Sequence, residues 1–95
     1  MITLEQRNKI LICIKPYNPS KIGFFGSYAR NENTSKSDLD LMVQFKETVN
    51  LLDIIGLEIE LSELLGIKVD LVTDKSIHPL IKKIIEKDIQ YILND

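Results

Sequence analysis

Two aspartates, one residue apart, are the first feature of this sequence that could carry out chemistry. Asp38 and Asp40 alternate with the apolar residues Leu39 and Leu41, and on a β-strand such alternation directs both carboxylates to one face. Two like charges at this spacing repel each other unless a cation lies between them. A hard divalent ion, Mg²⁺ above all, suits this arrangement because it takes one or two carboxylates and completes its shell with water and phosphate oxygens.

A third carboxylate stands in a similar context further along the chain. Asp70 lies between Val69 and Leu71, and the alternation predicts that the two apolar residues face a core while Asp70 lies on the polar side of another strand. If the two strands are neighbours, Asp70 joins Asp38 and Asp40. Three acids together are typical of sites where metal ions clamp a transferring phosphoryl group and one acid accepts the proton of the attacking hydroxyl.

A Gly-Ser pair upstream of the acids has the features of a phosphate site. Gly26 follows a short apolar run, and a glycine there lets the backbone approach a phosphate while N–H groups and the Ser27 hydroxyl donate to its oxygens. Arg30 lies one helical turn further on, within reach of the same phosphates. The chain uses Arg twice against ten Lys, so an arginine at this position indicates a planar, bidentate donor.

Taken together, these residues resemble the minimal nucleotidyltransferase family of the DNA polymerase β superfamily. The resemblance covers nearly the whole chain. It lies in a Gly-Ser pair, an arginine three residues after the serine, a serine before the first acid, an Asp-x-Asp pair after ten intervening residues, and a third acid in a Val-Asp-Leu-Val strand: Gly26, Ser27, Arg30, Ser37, Asp38, Asp40 and Asp70.

The resemblance implies a role for each of these residues. It makes Asp38, Asp40 and Asp70 the catalytic acids and metal ligands, with Asp70 also the base. The residues that it implies for nucleotide binding are Gly26, Ser27, Arg30 and Ser37. The sequence departs from the family at Asn31, where a glycine usually follows the arginine; asparagine tolerates a left-handed backbone, although the departure is also compatible with a weakened site.

The same resemblance implies a function. Similar stand-alone proteins are antitoxins encoded beside a HEPN-domain ribonuclease toxin, and some of them transfer AMP from ATP to a tyrosine of that toxin. The implied cofactor is Mg²⁺, with ATP as donor and the HEPN toxin as partner. Two alternatives stay open: a non-catalytic antitoxin that neutralises its toxin by binding, and a small-molecule nucleotidyltransferase of the aminoglycoside-modifying kind.

Several of these residues also have a simpler interpretation. Arg30 could be a surface ion-pair residue, and the Ser27 and Ser37 hydroxyls could serve only to form turns. His78, the only histidine, precedes Pro79 at the expected start of a helix, where a structural role is more common than a catalytic one.

The elements that must position these residues alternate between helix and strand. The pattern predicts an α/β (α+β) class with a small mixed β-sheet packed against helices, in the order helix, strand, strand, helix, strand, helix. The predicted segments are Leu4 to Lys15, Lys21 to Phe25, Asp38 to Phe45, Asn50 to Leu65 with Asn50 as cap and Gly66 as stop, Ile67 to Val72, and Ile77 to Leu93.

Composition limits the class of protein. Its 95 residues predict a single domain over 1–95. The net charge of −2 argues against direct binding of nucleic acid, no segment resembles a membrane span, and a lone cysteine, Cys13, fits a cytoplasmic protein.

Fifteen Ile and thirteen Leu exceed what a small sheet can cover, which predicts an exposed apolar patch on the 50–65 helix or the last helix for a partner or a second copy. Homodimer and hetero-oligomer both remain open.

Overall fold

Three helices and four strands make up the protein in the computed structural model, which describes residues 2–95. They run in chain order as α1 (Leu4–Ile14), β1 (Pro19–Phe25), β2 (Leu39–Phe45), α2 (Leu51–Leu65), β3 (Val69–Thr73), α3 (Pro79–Asp88) and β4 (Gln90–Asn94). The strands form one mixed sheet in the order β3-β2-β1-β4. β1 is antiparallel to β2 and β4, whereas β2 and β3 are parallel.

Capping residues set the helix ends. Asn50 is the N-cap of α2, and its side chain accepts a hydrogen bond of 2.8 Å from the Asp53 backbone N–H. Gly66 follows the helix with φ +69°, the left-handed conformation that ends helices. α1 begins with reciprocal hydrogen bonds between Thr3 and Gln6. The predicted cap and stop of the second helix are therefore confirmed.

The prediction of one helix from Ile77 to Leu93 is wrong, because the chain leaves the helix at Asp88 and continues as a strand. Ile89 is already extended, with φ −58° and ψ 135°, and the segment from Gln90 pairs with β1. The isoleucine spacing fits a helix up to Ile92, but pairing with β1 decides the conformation, since strand formation depends on neighbouring strands. The sheet therefore has four strands instead of the expected three.

The two faces of the sheet carry different side chains. One, the core face, packs against α1 and α2 around a set of fully buried aliphatic side chains: Ile10, Ile14, Ile22, Leu39, Leu41, Val43, Leu57, Leu61 and Val69. Because side chains alternate along each strand, the opposite face, here called the acidic face, carries Gly23, Phe25, Asp40, Met42, Asp70 and Val72. The end of α3 lies over the acidic face, where Ile89 packs against Gly23.

Side chains of α2 protect the free edge of the sheet beside one of the candidate site residues. β3 is an edge strand, so alternate backbone N–H groups along it have no partner strand. The Ser62 hydroxyl accepts from the Val69 N–H at 3.0 Å, and a Glu58 carboxylate oxygen accepts from the Leu71 N–H at 2.7 Å. Both residues that flank Asp70 are thereby fixed to α2, which holds the Asp70 carboxylate on the acidic face.

Large apolar side chains remain exposed on all three helices, and those on α2 and α3 confirm the prediction of an exposed apolar patch there. On α2, Leu51, Ile55 and Ile59 form a stripe at helical spacing, and their exposed fractions are 72%, 44% and 56%. On α3, Leu80 and Ile84 are more than half exposed. No helix among residues 2–95 is long and apolar enough to cross a membrane.

Candidate functional site

The three predicted acids come together near the start of β2 and β3. Asp40 and Asp70 are register partners across the parallel strands, and Asp38 directly precedes β2. Burial raises the pKa of Asp40, the charges of Asp70 and Asp38 raise it further, and the charge of Arg30 opposes them. The condition that the two strands are neighbours is met, so Asp70 joins Asp38 and Asp40 at one end of the sheet.

A lysine contacts both outer acids. The Lys68 Nζ lies 3.8 Å from Asp38 Oδ2 and 4.0 Å from Asp70 Oδ1, at the outer limit of an ion pair, and all three side chains are partly exposed. Within residues 2–95 no three carboxylate, imidazole or thiol groups converge closely enough to form a finished metal site. The acids therefore share a face without closing on one point, and metal ligation by them stays a prediction.

Gly26 brings the backbone directly against one of the acids. Its φ of +73° is a conformation that side chains disfavour, and a Cβ on it would lie only 2.5 Å from Asp40 Oδ2. The preceding residue, Phe25, is the register partner of Asp40 on the antiparallel side. The turn that follows Gly26 therefore starts beside the carboxylates, with no side chain between them.

Residues 26–32 form one helical turn that ends in a left-handed residue. The Glu32 N–H donates to the Ser27 carbonyl at 2.8 Å, and the Asn31 N–H donates to the Tyr28 carbonyl at 3.4 Å. This pair of bonds is the usual end of a helix whose last residue is left-handed, and Asn31 has φ +58°. Asparagine therefore preserves the turn at the position where the sequence departs from the family pattern.

Arg30 is held by two carboxylates. Its Nε donates to Glu32 Oε1 at 2.7 Å and its Nη1 to Asp88 Oδ2 at 2.9 Å; these hydrogen bonds raise the pKa of the guanidinium. The side chain also lies close enough to Asp40 for its charge to lower the pKa of that carboxyl. The ion-pair interpretation thus describes Arg30 in this structure, and its contact with a phosphate stays a prediction.

The two serines have different surroundings. Ser27 opens the turn after Gly26, and its carbonyl accepts from the Glu32 N–H at 2.8 Å. The Ser37 hydroxyl accepts from the Thr34 N–H at 2.8 Å and closes a turn just before β2. Ser37 therefore acts here as a turn former, and its role in nucleotide binding stays a prediction.

Two residues that fix the Gly-Ser turn were not found from the sequence. The Gln90 Nε2 donates to the Ala29 carbonyl at 2.8 Å, and Asp88 holds Arg30 from the end of α3. Both lie in the segment that the isoleucine spacing assigned to a helix. The polar, aromatic and aliphatic residues that follow the charged end of α3 were the available signal for a strand.

An open cavity of about 550 Å³ lies between the acidic face and α3. Its walls come from β1 and the turn, from β3 with the loop that follows it, and from α3: Phe25, Gly26, Arg30, Val72, Ser76, Ile77, His78, Ile81, Ile84, Ile85 and Asp88. His78 is the N-cap of α3, where its Nδ1 accepts from the Leu80 N–H at 3.1 Å. The expectation of a structural role for His78 is confirmed, and the same side chain lines the cavity.

The structure thus places a Gly-Ser turn beside acids on two adjacent strands. The chain belongs to the nucleotidyltransferase domain family, which matches residues 7–92. It is 47% identical over 98 residues to the predicted protein adenylyltransferase MJ1217 of Methanocaldococcus jannaschii, covering 97% of this chain and 100% of that protein. It is 39% identical over 97 residues to the protein adenylyltransferase MntA of Thermococcus cleftensis, covering 97% and 98% of the two chains.

Solved structures have the same fold, the minimal nucleotidyltransferase fold. One, of a predicted minimal nucleotidyltransferase, is 32% identical, with a TM-score of 0.80 over 90% of this chain and 88% of the other. A chain of a toxin-antitoxin crystallised with AMP-PNP has a TM-score of 0.86 at 23% identity. The match covers 94% of this chain and 73% of that chain. A chain from the complex of a tri-AMPylated Shewanella oneidensis HEPN toxin with its MNT antitoxin has a TM-score of 0.79 at 22% identity. The match covers 96% of this chain and 71% of that chain.

Proposed function

We propose that this protein is an antitoxin-type protein adenylyltransferase that transfers AMP from ATP to a tyrosine hydroxyl of a cognate HEPN toxin. The observation that carries the proposal is the direct contact of the Gly26 turn with Asp40, which is itself the register partner of Asp70. A nucleotide whose phosphates lie on the turn has its α-phosphorus beside the acids. The adenylyltransferase names of relatives that match nearly full length support the choice of ATP.

The transfer exchanges one phosphorus–oxygen bond for another. The tyrosine oxygen forms a bond to the α-phosphorus, the bond from that phosphorus to the bridging oxygen of the β-phosphate breaks, and pyrophosphate leaves. The hydroxyl proton passes to a carboxylate oxygen of Asp70. The Ser27 hydroxyl and the backbone N–H groups of the turn hold the departing phosphates, and Arg30 leaves Glu32 or Asp88 to neutralise them.

Asp38, Asp40 and Asp70 would hold Mg²⁺. Their oxygens are the hard donors that this ion prefers, and burial together with the charges of Asp70 and Asp38 raises the pKa of Asp40. Bound there, the ion would offset charge that builds up on the transferring phosphoryl group. Lys68 then gives up its contacts with Asp38 and Asp70, and its ammonium is free to turn to the phosphates.

The apolar stripe of α2 is the surface that we propose for the toxin. Leu51, Ile55 and Ile59 lie on α2, which packs on the core face, away from the cavity. An exposed stripe of this length on a small protein is typical of a protein-binding surface. Docking through α2 leaves the acidic face uncovered.

Intact-mass measurement of the toxin tests the proposed reaction. We expect the toxin encoded beside this protein to gain one or more adenylyl groups with the native protein, ATP and Mg²⁺, and none with Asp38→Asn or Asp70→Asn. Asp74→Asn, a carboxylate outside the three-acid cluster, is the matched control and should retain activity. Absence of any nucleotidyl increment with all four nucleoside triphosphates would contradict the proposal.

A second candidate is neutralisation by binding alone, which the exposed stripe on α2 favours. In that case Asp38→Asn still neutralises the toxin, whereas Ile59→Glu, which places a charge in the stripe, abolishes both complex formation and neutralisation. An Asp38→Asn protein that binds the toxin but no longer neutralises it would exclude this candidate. Glu60→Gln, beside the stripe, controls for a general effect of substitution on α2.

A further inference from the structure

Gly56 is an unusual residue for its place in the chain. It lies in the interior of α2, where glycine is less favourable than any residue except proline. Its φ is not positive, the residue is exposed, and a Cβ added to it would meet nothing within 4 Å. Neither the backbone conformation nor the packing of this protein therefore requires a glycine at this position.

Gly56 borders the apolar stripe of α2. Residues three and four apart are neighbours on the surface of a helix, so Gly56 lies next to Leu52 and Ile59, which are 79% and 56% exposed. A glycine between two large apolar side chains leaves a shallow notch in the helix surface. A second helix can approach the backbone of α2 more closely at this notch than over a larger residue.

Acidic residues lie on the same helix as the notch. The charged residues of α2 are Asp53, Glu58, Glu60 and Glu63, with no lysine or arginine among them. Within residues 2–95, no base forms an ion pair with any of the four. Glu58 accepts from the Leu71 N–H, and Glu60 lies beside the Cys13 thiol. Asp53 and Glu63, three residues before Gly56 and seven after it, border the stripe.

Glu63 is unfavourable for the isolated helix in its own way. It lies in the last turn of α2, where the helix dipole favours positive charge and disfavours negative charge. Gly56 and Glu63 thus both lower the stability of α2, and both lie beside the same apolar stripe. Residues that depart from local rules of stability in this way are typical of functional surfaces.

We propose that α2 binds a basic amphipathic helix of the toxin. That helix crosses α2 at Gly56, with its apolar side on the stripe and its lysine or arginine side chains beside Asp53 and Glu63. The inference rests on the proposed function and adds the chemistry of the partner surface. Charge complementarity decides between occupants: a second copy of this chain would place one acidic α2 against another, whereas a basic helix neutralises the two carboxylates.

Substitutions that stabilise the free protein but weaken its complex test the proposal. Binding of the toxin encoded beside this protein is measured calorimetrically for the native protein, Gly56→Gln and Glu63→Lys, and thermal unfolding gives the Tm of each free protein. Glutamine favours a helix more than glycine does, and lysine suits the last turn, so we expect both variants to raise the Tm. Gly56→Gln fills the notch and should raise the Kd for the toxin about tenfold or more.

The charge change at Glu63 has a matched control on another helix. Glu63→Lys should raise the Kd for the toxin about fivefold or more, and this difference from the native protein should shrink at high salt, which screens exposed charges. Glu86→Lys makes the same change of charge at an exposed position on α3 and should change the Kd less than about twofold. Gly56→Ala, which adds one methyl group, should weaken binding less than Gly56→Gln.

A toxin affinity that Gly56→Gln leaves unchanged, or that Glu63→Lys and Glu86→Lys weaken equally, overturns the proposal. A dimer of the native protein alone that Gly56→Gln dissociates, measured by analytical ultracentrifugation, also overturns it, because a second copy then occupies the stripe. Toxin that binds at Gly56 but is never modified defeats the proposed function alone. Toxin that is modified although Gly56→Gln binds it normally defeats this inference alone.

Discussion

The two faces of the sheet differ in how completely they are covered. On the core face, side chains from α1 and α2 close over the strands, and nine aliphatic side chains there are less than 2% exposed. On the acidic face, α3 contributes one buried residue, Ile85, and leaves a cavity that Gly26 and Val72 line from the side of the sheet. The same sheet thus forms a dense core on one side and an open surface with carboxylates on the other.

Because the two faces differ, alternate residues of one strand contribute to stability and to the candidate site. In β2, Leu39 and Leu41 anchor the strand in the core, and the residue between them, Asp40, projects from the other face. In β3, Val69 and Leu71 do the same for Asp70. A rigid core face holds charged groups in positions that they would not adopt alone, because like charges repel.

The largest expected effect on stability comes from opening the core face. Leu61 of α2 is fully buried against the sheet, so Leu61→Ala should lower the free energy of unfolding by about 2–5 kcal/mol through lost burial and an unfilled cavity. Urea unfolding measures the change. Leu64→Ala, on the same helix at a position 45% exposed, should cost less than about 1 kcal/mol.

Leu61→Ala should lower stability without lowering activity. Under conditions in which Leu61→Ala stays folded, its rate of adenylyl transfer per folded molecule should equal that of the native protein, because the substitution does not touch the acidic face. A stability loss as small as that of Leu64→Ala would contradict the description of the core face as close-packed.

In the last fifth of the chain, pairing with a neighbouring strand overrides the conformation that the local sequence pattern favours. Ile81, Ile85, Ile89 and Ile92 fit a helical repeat, yet the chain turns into an edge strand after Asp88. No glycine or proline ends this helix, and the free edge of β1 supplies the hydrogen bonds that make a strand more stable. By contrast α2 has both a cap and a glycine stop, and its predicted ends are confirmed.

Part of the candidate site is likewise predictable from neighbouring residues, and part depends on which strands pair. The spacing of Asp38, Asp40 and the Gly-Ser pair predicts a phosphate site from neighbouring residues, and alternation predicts the face on which Asp70 lies. Their convergence depends on the parallel pairing of β2 and β3, which sequence reasoning could state only as a condition. The anchoring of the turn by Asp88 and Gln90 was not predicted, because it depends on how the end of α3 and β4 pack beside β1, and β4 is a strand absent from the predicted order.

A second prediction compares two glycines in the same backbone conformation. Gly26 and Gly66 have φ +73° and +69°, but a Cβ on Gly66 meets nothing within 4 Å, whereas one on Gly26 meets Asp40. Gly66→Ala should cost about 1 kcal/mol for the left-handed backbone. Gly26→Ala should cost about 1–3 kcal/mol, because Asp40 must also move, and urea unfolding of both variants measures the difference.

Activity distinguishes the two glycine variants more strongly than stability does. Displacement of Asp40 at the site should remove most adenylyl transfer in Gly26→Ala, while Gly66→Ala, behind α2, should retain it. Equal activity in the two variants would mean that the contact between Gly26 and Asp40 has no part in the reaction, and the proposed function would lose the observation that carries it.

The smallest expected effect is a gain in stability on the acidic face. Burial and the charges of Asp70 and Asp38 raise the pKa of Asp40 above its ordinary 3.8, so the folded chain binds this proton more tightly than the unfolded chain. The ionised carboxyl therefore destabilises the fold above the raised pKa, and this cost disappears as the pH falls below the unfolded value. Without divalent ions, Asp40→Asn should stabilise the protein at pH 7 by less than about 1 kcal/mol, because solvent screens the group.

The pH dependence of that gain tests its cause. Urea unfolding at several pH values should show the advantage of Asp40→Asn shrinking to nothing by about pH 3, where Asp40 is protonated in both states of the native sequence. Asp74→Asn, outside the cluster, should show no such trend. Mg²⁺ should reverse the order at pH 7, since an ion that binds the folded native protein stabilises it and binds the variant less well. A gain that persists unchanged at pH 3 would arise from packing of the amide and not from relief of charge repulsion among the three acids.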